Sequence, residues 1–303
     1  MANLMNPHDA YNMKVFTLPD DIFGDKSKVI DPIIIHEYNA PTASFRGRSV
    51  MNKHAISLVI KGRKTMHFAE KTVNANDNEL HFLSAGNCIV AIDFADQKEF
   101  RSVLIYFDNK VLNDFYVKHD AAIQRMKSRH NIGREPYISI EKDAFIRNYI
   151  AGLQLMLKQP REMSLQMRIL KFEELMLYLF EKHPATVLSF RGAPSNVSND
   201  LQIRRIVELN VPNSLTVDEL AFLCNMSNST FKRRFTAIYK LSPIAWFLGQ
   251  KMKLAAKMLS LNEEKPSDVF YKVGYENHSS FAKSFKKFYG VTPKEFQARC
   301  LNV

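Results

Sequence analysis

The chain has 303 residues, a net charge of +11 and 46% hydrophobic residues, a combination that fits two domains with substantial cores. No apolar run approaches the ~20 residues of a membrane-spanning helix, and the N-terminus has no basic-then-apolar signal. The cysteines, Cys88, Cys224 and Cys300, are scattered and form no metal or disulfide pattern. These features argue against membrane and secreted proteins and favour a cytoplasmic one.

The first 120 residues are rich in short β-branched or alternating runs, separated by turn signals such as Lys61-Gly62. Many short strands with regular turns predict a small barrel or a double-sheet jelly roll. Such a barrel can hold a small molecule or be filled by its own side chains. The predicted strands are residues 33–38, 55–60, 64–69, 79–83, 89–94 and 101–107.

Two sets of side chains on these strands are candidates for ligand binding. The histidines show no ligand spacing, so we expect surface or structural roles and no metal. The cations could receive an anionic effector such as a carboxylate, although a solvated edge that discourages strand aggregation is favoured. The histidines are His36, His54, His67 and His81, and the cations are Arg46, Arg48, Lys53, Lys61, Arg63 and Lys64.

Two helices are predicted after the strands, over residues 143–158 and 162–182, within a helical segment 143–183. The second helix is apolar on more than one side, so it must bury more than one side. One side can cover the barrel and the rest can form a dimer contact; the alternative is a single monomeric core. We favour the dimer, with contacts through Leu165, Ile169, Phe172, Met176 and Leu179.

A stretch of crowded Gly, Pro, Ser and Asn follows the helices and predicts an interdomain linker. The predicted organisation is an N-terminal regulatory domain over 1–190, a linker over 191–199 and a C-terminal domain over 200–303. Residues 199–303 hold 16 Lys and Arg against 9 Asp and Glu. The last third therefore carries most of the excess charge, as expected for a surface that faces phosphates.

The first of two helix-turn-helix patterns spans residues 215–235. Thr216 and Glu219 predict a capping box at its first helix, and Ser227 is expected to cap the second. Phe231 and Phe235 lie four apart and face inward. The outer face suits the major groove, although a solvated cationic face on an ordinary helical hairpin is the alternative. The outer residues are Ser229, Lys232, Arg233 and Thr236.

The second pattern spans residues 266–290 and repeats the first. Ser267 is predicted to cap a short helix, Gly274 to make the turn and Asn277 to cap the next helix. Gly290 is expected to end that helix. The inward residues are predicted to be Phe281, Phe285 and Phe288.

One helix, from Ser242-Pro243 to about residue 261, is predicted to join the patterns. Such a helix would hold two recognition helices at a fixed separation, and two readers on one face of B-DNA sit ~34 Å apart. The expected inward residues are Ile244, Phe247, Met252, Ala255, Ala256 and Leu259.

Residues 199–303 resemble the DNA-binding domain of the AraC/XylS family of bacterial transcription regulators. One departure is Phe270, where the family usually places alanine, and we expect its ring to change how the second helix pair packs. The residues that carry the resemblance are Leu220, Ala221, 227–235, Ser242, Pro243, 251–259, 273–275, Ser280, Phe281, 285–287, Gly290, Thr292 and Pro293.

The resemblance implies positions for DNA contacts. Arg233 is expected to have the strongest base preference, because arginine pairs bidentately with guanine. Arg234, Lys286 and Lys287 are expected to bind phosphate. The base-reading candidates are Ser229, Lys232 and Arg233 in the first unit and Ser279, Ala282 and Lys283 in the second.

The resemblance also implies an α+β protein, with a cupin-like barrel followed by helices that form a dimer contact. The expected function is sequence-specific binding to promoter DNA, with activation through RNA polymerase, under control of an N-terminal effector-sensing or dimerisation domain. Control by a partner protein is the alternative to a small-molecule effector. A cupin-type enzyme is least favoured, because the sequence offers no metal cluster or paired acid and base; no cofactor is expected.

Overall fold

The computed structural model describes residues 15–22, 30–40, 45–69, 71–93, 99–127, 135–190, 199–211, 213, 215–261, 264–275 and 277–301. The chain forms two compact units, Met1–Asn196 and Val197–Val303. The first is rich in β-sheet and the second is helical, so the predicted α+β class is confirmed. The predicted linker lies outside the described residues, apart from the first residue of α6.

The N-terminal unit contains two five-stranded sheets, ordered β1-β3-β8-β5-β6 and β10-β7-β4-β9-β2. Neighbouring strands are antiparallel except for the parallel pair β1 and β3. The strands are β1 Val15–Leu18, β2 Ile33–Ala40, β3 Phe45–Met51, β4 His54–Lys61, β5 Arg63–Phe68, β6 Thr72–Ala75, β7 Glu79–Leu83, β8 Gly86–Asp93, β9 Phe100–Phe107 and β10 Tyr137–Glu141.

Strands β2 and β9 carry apolar residues on both faces, because one face of their sheet packs on helices and the other on the second sheet. Successive side chains of a strand point to opposite faces. On β2, Ile33 and Ile35 pack toward the helices of the unit, whereas Ile34 packs between the two sheets. On β9, Phe107 packs toward the helices and Tyr106 between the sheets. The inter-sheet core therefore contains only alternate residues of each strand.

Five helices are assigned to the described part of the N-terminal unit. Asp108, Asp143 and Ser164 cap three of them through side-chain oxygens that accept backbone N–H bonds, which satisfies donors that a helix start leaves free. The helices are α1 Asn109–Lys118, α2 Asp120–Lys127, α3 Ala144–Leu157, α4 Leu165–Lys182 and α5 Pro184–Ser189.

Helix α3 is tied to both α4 and the sheet by hydrogen bonds. The Tyr149 hydroxyl donates to the Lys171 carbonyl at 2.6 Å. Glu37 on β2 accepts at one oxygen from Gln154 of α3 and from Arg101 of β9, each at 3.0 Å. These bonds join the sheet to α3 and α3 to α4.

Helix α4 corrects part of the predicted dimer contact. Phe172, Met176 and Leu179 are 0%, 1% and 0% exposed, because they pack into the core between the helices and the sheet. No surface of these side chains is left for a second chain, so a contact through them is wrong. Leu165 and Ile169 are half-buried against the same core.

The C-terminal unit contains seven helices among the described residues, packed around two pairs of phenylalanines. No described helix in either unit combines the length and apolar character needed to cross a membrane. The helices are α6 Asn199–Leu209, α7 Val217–Leu223, α8 Asn228–Tyr239, α9 Pro243–Ser260, α10 Pro266–Lys272, α11 His278–Tyr289 and α12 Pro293–Leu301.

Candidate functional site

The first helix-turn-helix unit starts with a capping box, as predicted. The Thr216 hydroxyl accepts from the Glu219 N–H at 3.2 Å, and the Glu219 carboxylate accepts from the Thr216 N–H at 2.7 Å. Both bonds satisfy donors at the start of α7. Asn225 then turns the chain with a positive φ of 54°, a conformation that asparagine tolerates.

Helix α8 is held by its cap and by two buried rings. The Ser227 hydroxyl accepts from the Thr230 N–H at 3.3 Å, which confirms the predicted cap. Phe231 and Phe235 are both 0% exposed, with ring centroids 5.7 Å apart. The opposite face of α8 is thereby left to solvent.

Three of the four predicted contact residues on α8 lie on this exposed face: Ser229, Lys232 and Arg233. Arg234 is half-buried, and its guanidinium lies 3.8 Å from Asp200 of α6. A surface ion pair of this kind contributes ~0–1 kcal/mol. A phosphate can therefore compete for Arg234.

The second unit repeats this construction with one difference at its start. Lys265 precedes α10 and makes no side-chain cap bond, and Pro266 occupies the first turn. The prediction that Ser267 caps the helix is wrong, because proline at the first helical position starts it earlier. The Ser267 hydroxyl instead bonds the Asp268 carboxylate at 3.1 Å.

The remaining signals of the second unit are confirmed. Gly274 turns the chain at a φ of 76°, and Gly290 ends α11 at a φ of 77°. The Asn277 side chain accepts from the Ser280 N–H at 2.9 Å and caps α11. Phe281 and Phe285 are 0% exposed with centroids 5.7 Å apart, the same spacing as in the first unit. The core of the second reader is thus a copy of the first.

Helix α11 exposes Ser279, Lys283, Lys286 and Lys287, whereas Ala282 is half-buried. Phe288 is 47% exposed, so its predicted inward position is wrong. Its ring lies over Gly249 of α9, where an added Cβ would be 3.7 Å away. Phe288 is only ~20° off the face of Phe281, so its periodicity is right; it is exposed because it lies beyond the core of the second unit.

The ring of Phe270 is accommodated at the edge of the second unit's core. It is half-buried and meets the His278 ring edge-on, with centroids 5.9 Å apart. Val269 and Val273 fill the centre of the core instead. The ring therefore packs α10 against the start of α11.

Helix α9 connects the two helix-turn-helix units through its buried face. Met252, Ala255, Ala256 and Leu259 are buried as predicted, in the core shared with Phe281 and Phe285. Near its start, Trp246 and Phe247 pack on Phe235, with centroids 5.8 and 6.4 Å away. Ile244 is 72% exposed, so its predicted inward position is wrong: it lies in the first turn, beyond the reach of either core.

Comparison with known proteins links both units to one group of regulators. Residues 54–190 match the family described as the ExsA N-terminal regulatory domain, and residues 220–299 match a helix-turn-helix domain. The chain is 23% identical to the transcriptional regulator ExsA of Pseudomonas aeruginosa over 271 residues, which is 89% of this chain and 94% of ExsA. It belongs to the AraC/XylS family of transcription regulators.

Further relatives of this AraC/XylS member cover most of its length. The virulence regulon transcriptional activator VirF of Yersinia enterocolitica is 20% identical over 245 residues, 80% of this chain and 89% of VirF. Among solved structures, ToxT from Vibrio cholerae matches 88% of this chain and 98% of its own, at 11% identity and a TM-score of 0.36. Members of the family are DNA-binding transcription regulators and are not enzymes in general.

In the N-terminal unit of this family member, hydrogen bonds hold two of the predicted histidines, His54 and His67. His54 accepts from the Ala85 N–H at 3.0 Å and lies 2.9 Å from the Asn109 side-chain oxygen. His67 lies 3.1 Å from the Thr72 hydroxyl. Burial, then nearby lysine charges, lowers the pKa of His81 to about 4. No group of three metal-binding side chains is found in the described ranges.

A cavity of about 530 Å³ lies between the two sheets. Of the six predicted cations, Lys64 is buried and lines this cavity, whereas the others are exposed or half-buried. The lining residues are Phe16, Leu18, Asp21, His36, Glu37, Tyr38, Asn39, Ser49, Met51, Ala55, Lys64, Met66, Leu83, Cys88, Val90, Ile92, Phe100, Leu104 and Tyr106.

Proposed function

We propose that this regulator activates transcription by placing α8 and α11 in adjacent major grooves of promoter DNA. The observation that carries the proposal is the duplicated reader: two capped helices, each held by a phenylalanine pair at 5.7 Å, each exposing small polar and cationic side chains. A helix with such a face fits the major groove. The name of VirF, a transcriptional activator, favours activation and hence contact with RNA polymerase.

The side chains are assigned by chemistry and position. Arg233 reads a base, because its fork matches the two acceptors of guanine, and Lys286 and Lys287 hold phosphate. Ala282 offers a methyl contact to thymine from its half-buried position. The remaining base contacts are assigned to Ser229, Lys232, Ser279 and Lys283, and a further phosphate contact to Arg234.

We propose a homodimer formed by the exposed side of the helical segment. Leu155 on α3 is 66% exposed, and Leu170 and Met167 on α4 are 58% and 37% exposed. The opposite sides of both helices complete the N-terminal core. We infer that a second chain covers these exposed apolar side chains.

The N-terminal regulatory domain is assigned to residues 1–190, the linker to 191–199 and the DNA-binding domain to 200–303. The inter-sheet cavity favours a small-molecule effector, which acts if it binds one arrangement of the protein better than another. Control by a partner protein is the alternative that the sequence also leaves open. Since promoter DNA is the partner, the proposed site of action is the cytoplasm.

Selection of bound duplexes from a random library, followed by footprinting, tests the proposal. The expected motif has two parts separated by about one helical turn, ~34 Å. A single motif part would contradict two readers acting together. Equal retention of all sequences with strong salt sensitivity would reduce the function to nonspecific DNA binding.

A further inference from the structure

We propose that Lys251 is a positioning residue for the second reader: it fixes the turn before α11 to helix α9 and thereby sets the base preference of α11. The inference deepens the proposed function and rests on it, since it concerns how one of the two readers is held over the bases. Lys251 lies on α9, the helix that spans both helix-turn-helix units, and its side chain is half-buried.

The side chain of Lys251 contacts the turn of the second unit at two points. Its ammonium donates to the Gly274 carbonyl at 3.4 Å and lies 6.0 Å from the centre of the Tyr275 ring. A cation over an aromatic ring is attracted by the negative face of that ring. The Tyr275 ring in turn meets the ring of Phe281 on α11 edge-on, with centroids 5.6 Å apart. The contacts therefore run from α9 through the turn to the buried face of α11.

The turn closes without help from Lys251. The N–H groups of Gly274 and Tyr275 donate to two carbonyls of α10 at 3.0 and 2.9 Å, as at other helix ends with a left-handed residue. The first unit closes its turn with the same pair of bonds, donated by Asn225 and Met226 at 2.9 and 3.0 Å. Because backbone bonds make the turn, the bond from Lys251 adds something different, a fixed placement of the turn relative to α9.

The position of the Lys251 ammonium has a cost, which indicates a role beyond filling space. Burial lowers the pKa of Lys251, because the protein removes part of the water around its charge. The neighbouring buried face of α9 is apolar, with Met252 and Ala255 both 0% exposed. An apolar side chain in place of Lys251 would extend this face without a desolvated charge. The contacts with Gly274 and Tyr275 offset that cost.

Helix α9 also packs against the first reader, so a fixed turn ties both readers to one helix. Near its start, Trp246 and Phe247 pack on Phe235 of α8. A binding site works when its side chains are held within about 0.5 Å and about 10–20° of the productive geometry. A turn that shifts against α9 would leave α11 folded but less accurately placed over its bases. Loss of Lys251 should therefore reduce the base preference of α11 and preserve that of α8.

Selection from a random duplex library with the full-length protein tests the inference, because it reports the two parts of the motif separately. In Lys251→Met the base preference should fall by about twofold to tenfold in one part, which is the value of one hydrogen bond. The other part, identified as the one that Arg233→Ala alters, should keep its preference. Lys251→Arg should restore the motif of the parent, since a guanidinium can donate to the carbonyl and stack on the ring.

Lys253→Met is the matched control, because Lys253 lies two residues further along α9 and its side chain is exposed. This control should select the motif of the parent. An unchanged motif in Lys251→Met, or an equal loss in both parts, would overturn the inference. Equal weakening on all duplexes with a smaller salt slope would also overturn it, because Lys251 would then be a phosphate contact.

Lys251→Gln takes the place of Lys251→Met if that variant fails to fold. Glutamine keeps an N–H donor and removes the charge. A smaller loss in the same part of the motif is expected from it, and an unchanged motif would count against the inference.

Amide hydrogen exchange separates this inference from the proposed function. In Lys251→Met the backbone of the second turn and of α11 should exchange faster than in the parent, whereas α8 should not change. Unchanged exchange at the turn refutes the inference, whatever the parent selects. A parent that selects no two-part motif refutes the proposed function, and the exchange result still decides whether Lys251 holds the turn.

Discussion

Replacement of Lys64 by methionine should stabilise the N-terminal unit, because it removes a buried cation that has no hydrogen-bond or ion-pair partner among the described residues. The ammonium is buried beside apolar residues, and burial lowers the pKa of Lys64 from 10.5 to about 8. Methionine is unbranched and apolar and can occupy a similar volume without a charge. The variant therefore removes a desolvation cost from the folded state.

The size of the effect follows from that pKa. A displacement from 10.5 to about 8 corresponds to about 3 kcal/mol at pH values below 8, because each pH unit is worth ~1.4 kcal/mol. Loss of the cation–π contact with Phe100 offsets about 1–2 kcal/mol of this gain in stability. The net gain is about 1–2 kcal/mol, or a rise in Tm of about 2–8 °C for a unit of this size.

The pH dependence of unfolding tests whether Lys64→Met stabilises the protein, as predicted. Between pH 8 and 10.5 the unfolded lysine holds a proton that the folded one has lost, so the stability of the parent rises with pH relative to the variant. The advantage of Lys64→Met should be full below pH 8 and disappear toward pH 10.5. Lys142, whose pKa burial also lowers to about 8, is present in both proteins and cancels.

Thermal unfolding followed by far-ultraviolet circular dichroism measures the whole protein, because both units contain helices. Trp246 is the single tryptophan and lies in the C-terminal unit, so its fluorescence supplies an internal control that should not move. A variant that is less stable than the parent at pH 7, or a difference that persists unchanged at pH 10.5, would refute the claim that Lys64 is an unpaired buried cation.

The DNA-binding and dimer proposals give three further predictions. Arg233→Ala should lose ~1–3 kcal/mol of binding free energy on the selected DNA site and relax the preference at one base pair. Arg299→Ala, at an exposed arginine of α12, should change neither, and gel-shift titrations with single-base variants of the site measure both. Lys286→Ala should weaken binding to all sequences alike and reduce the salt slope by about 0.9, and a loss confined to one sequence would contradict a phosphate role. Leu170→Glu should shift the protein from dimer to monomer in analytical ultracentrifugation, and an unchanged mass would exclude α4 from the interface.

The C-terminal helices could be predicted closely because their ends are set by local chemistry. The capping box of Thr216 and the caps of Ser227 and Asn277 each involve side chains within three residues of the bond they make. Errors arose where a distant element decides burial. Phe288 and Ile244 have the right periodicity, but no neighbouring core reaches them.

The N-terminal unit was harder to predict, because its strands pair across long stretches of chain. The prediction missed β1, β3, β6 and β10. Strands β1 and β6 have only four residues each, and two arginines on β3 hide its alternation. The buried residues of α4 were assigned to a dimer because a stripe of apolar residues does not reveal what covers it. Phe172 could equally pack on the sheet, and it does.

The same limit applies to Lys64. Because Lys64 follows Arg63, the two side chains must point to opposite faces of the strand. The sequence does not show which of these faces lines a cavity. The pairing of β5 with β8 places Lys64 beside Ile92 and Phe68 beside Cys88. Phe68, Cys88 and Ile92 all belong to the core between the sheets, so Lys64 is on the inward side. The sequence therefore leaves two interpretations of these cations open: an anionic effector, and the favoured solvated strand edge. The anionic effector stays a prediction.

The shared acceptor on Glu37 gives the N-terminal unit a mechanical connection. Glu37 lines the cavity between the sheets. Its carboxylate oxygen also accepts the hydrogen bond of Gln154, which is adjacent in sequence to the exposed Leu155. A ligand that displaces β2 must lengthen or reorient this hydrogen bond. A filled and an empty chamber would then present different surfaces to a second subunit, without any domain having to unfold.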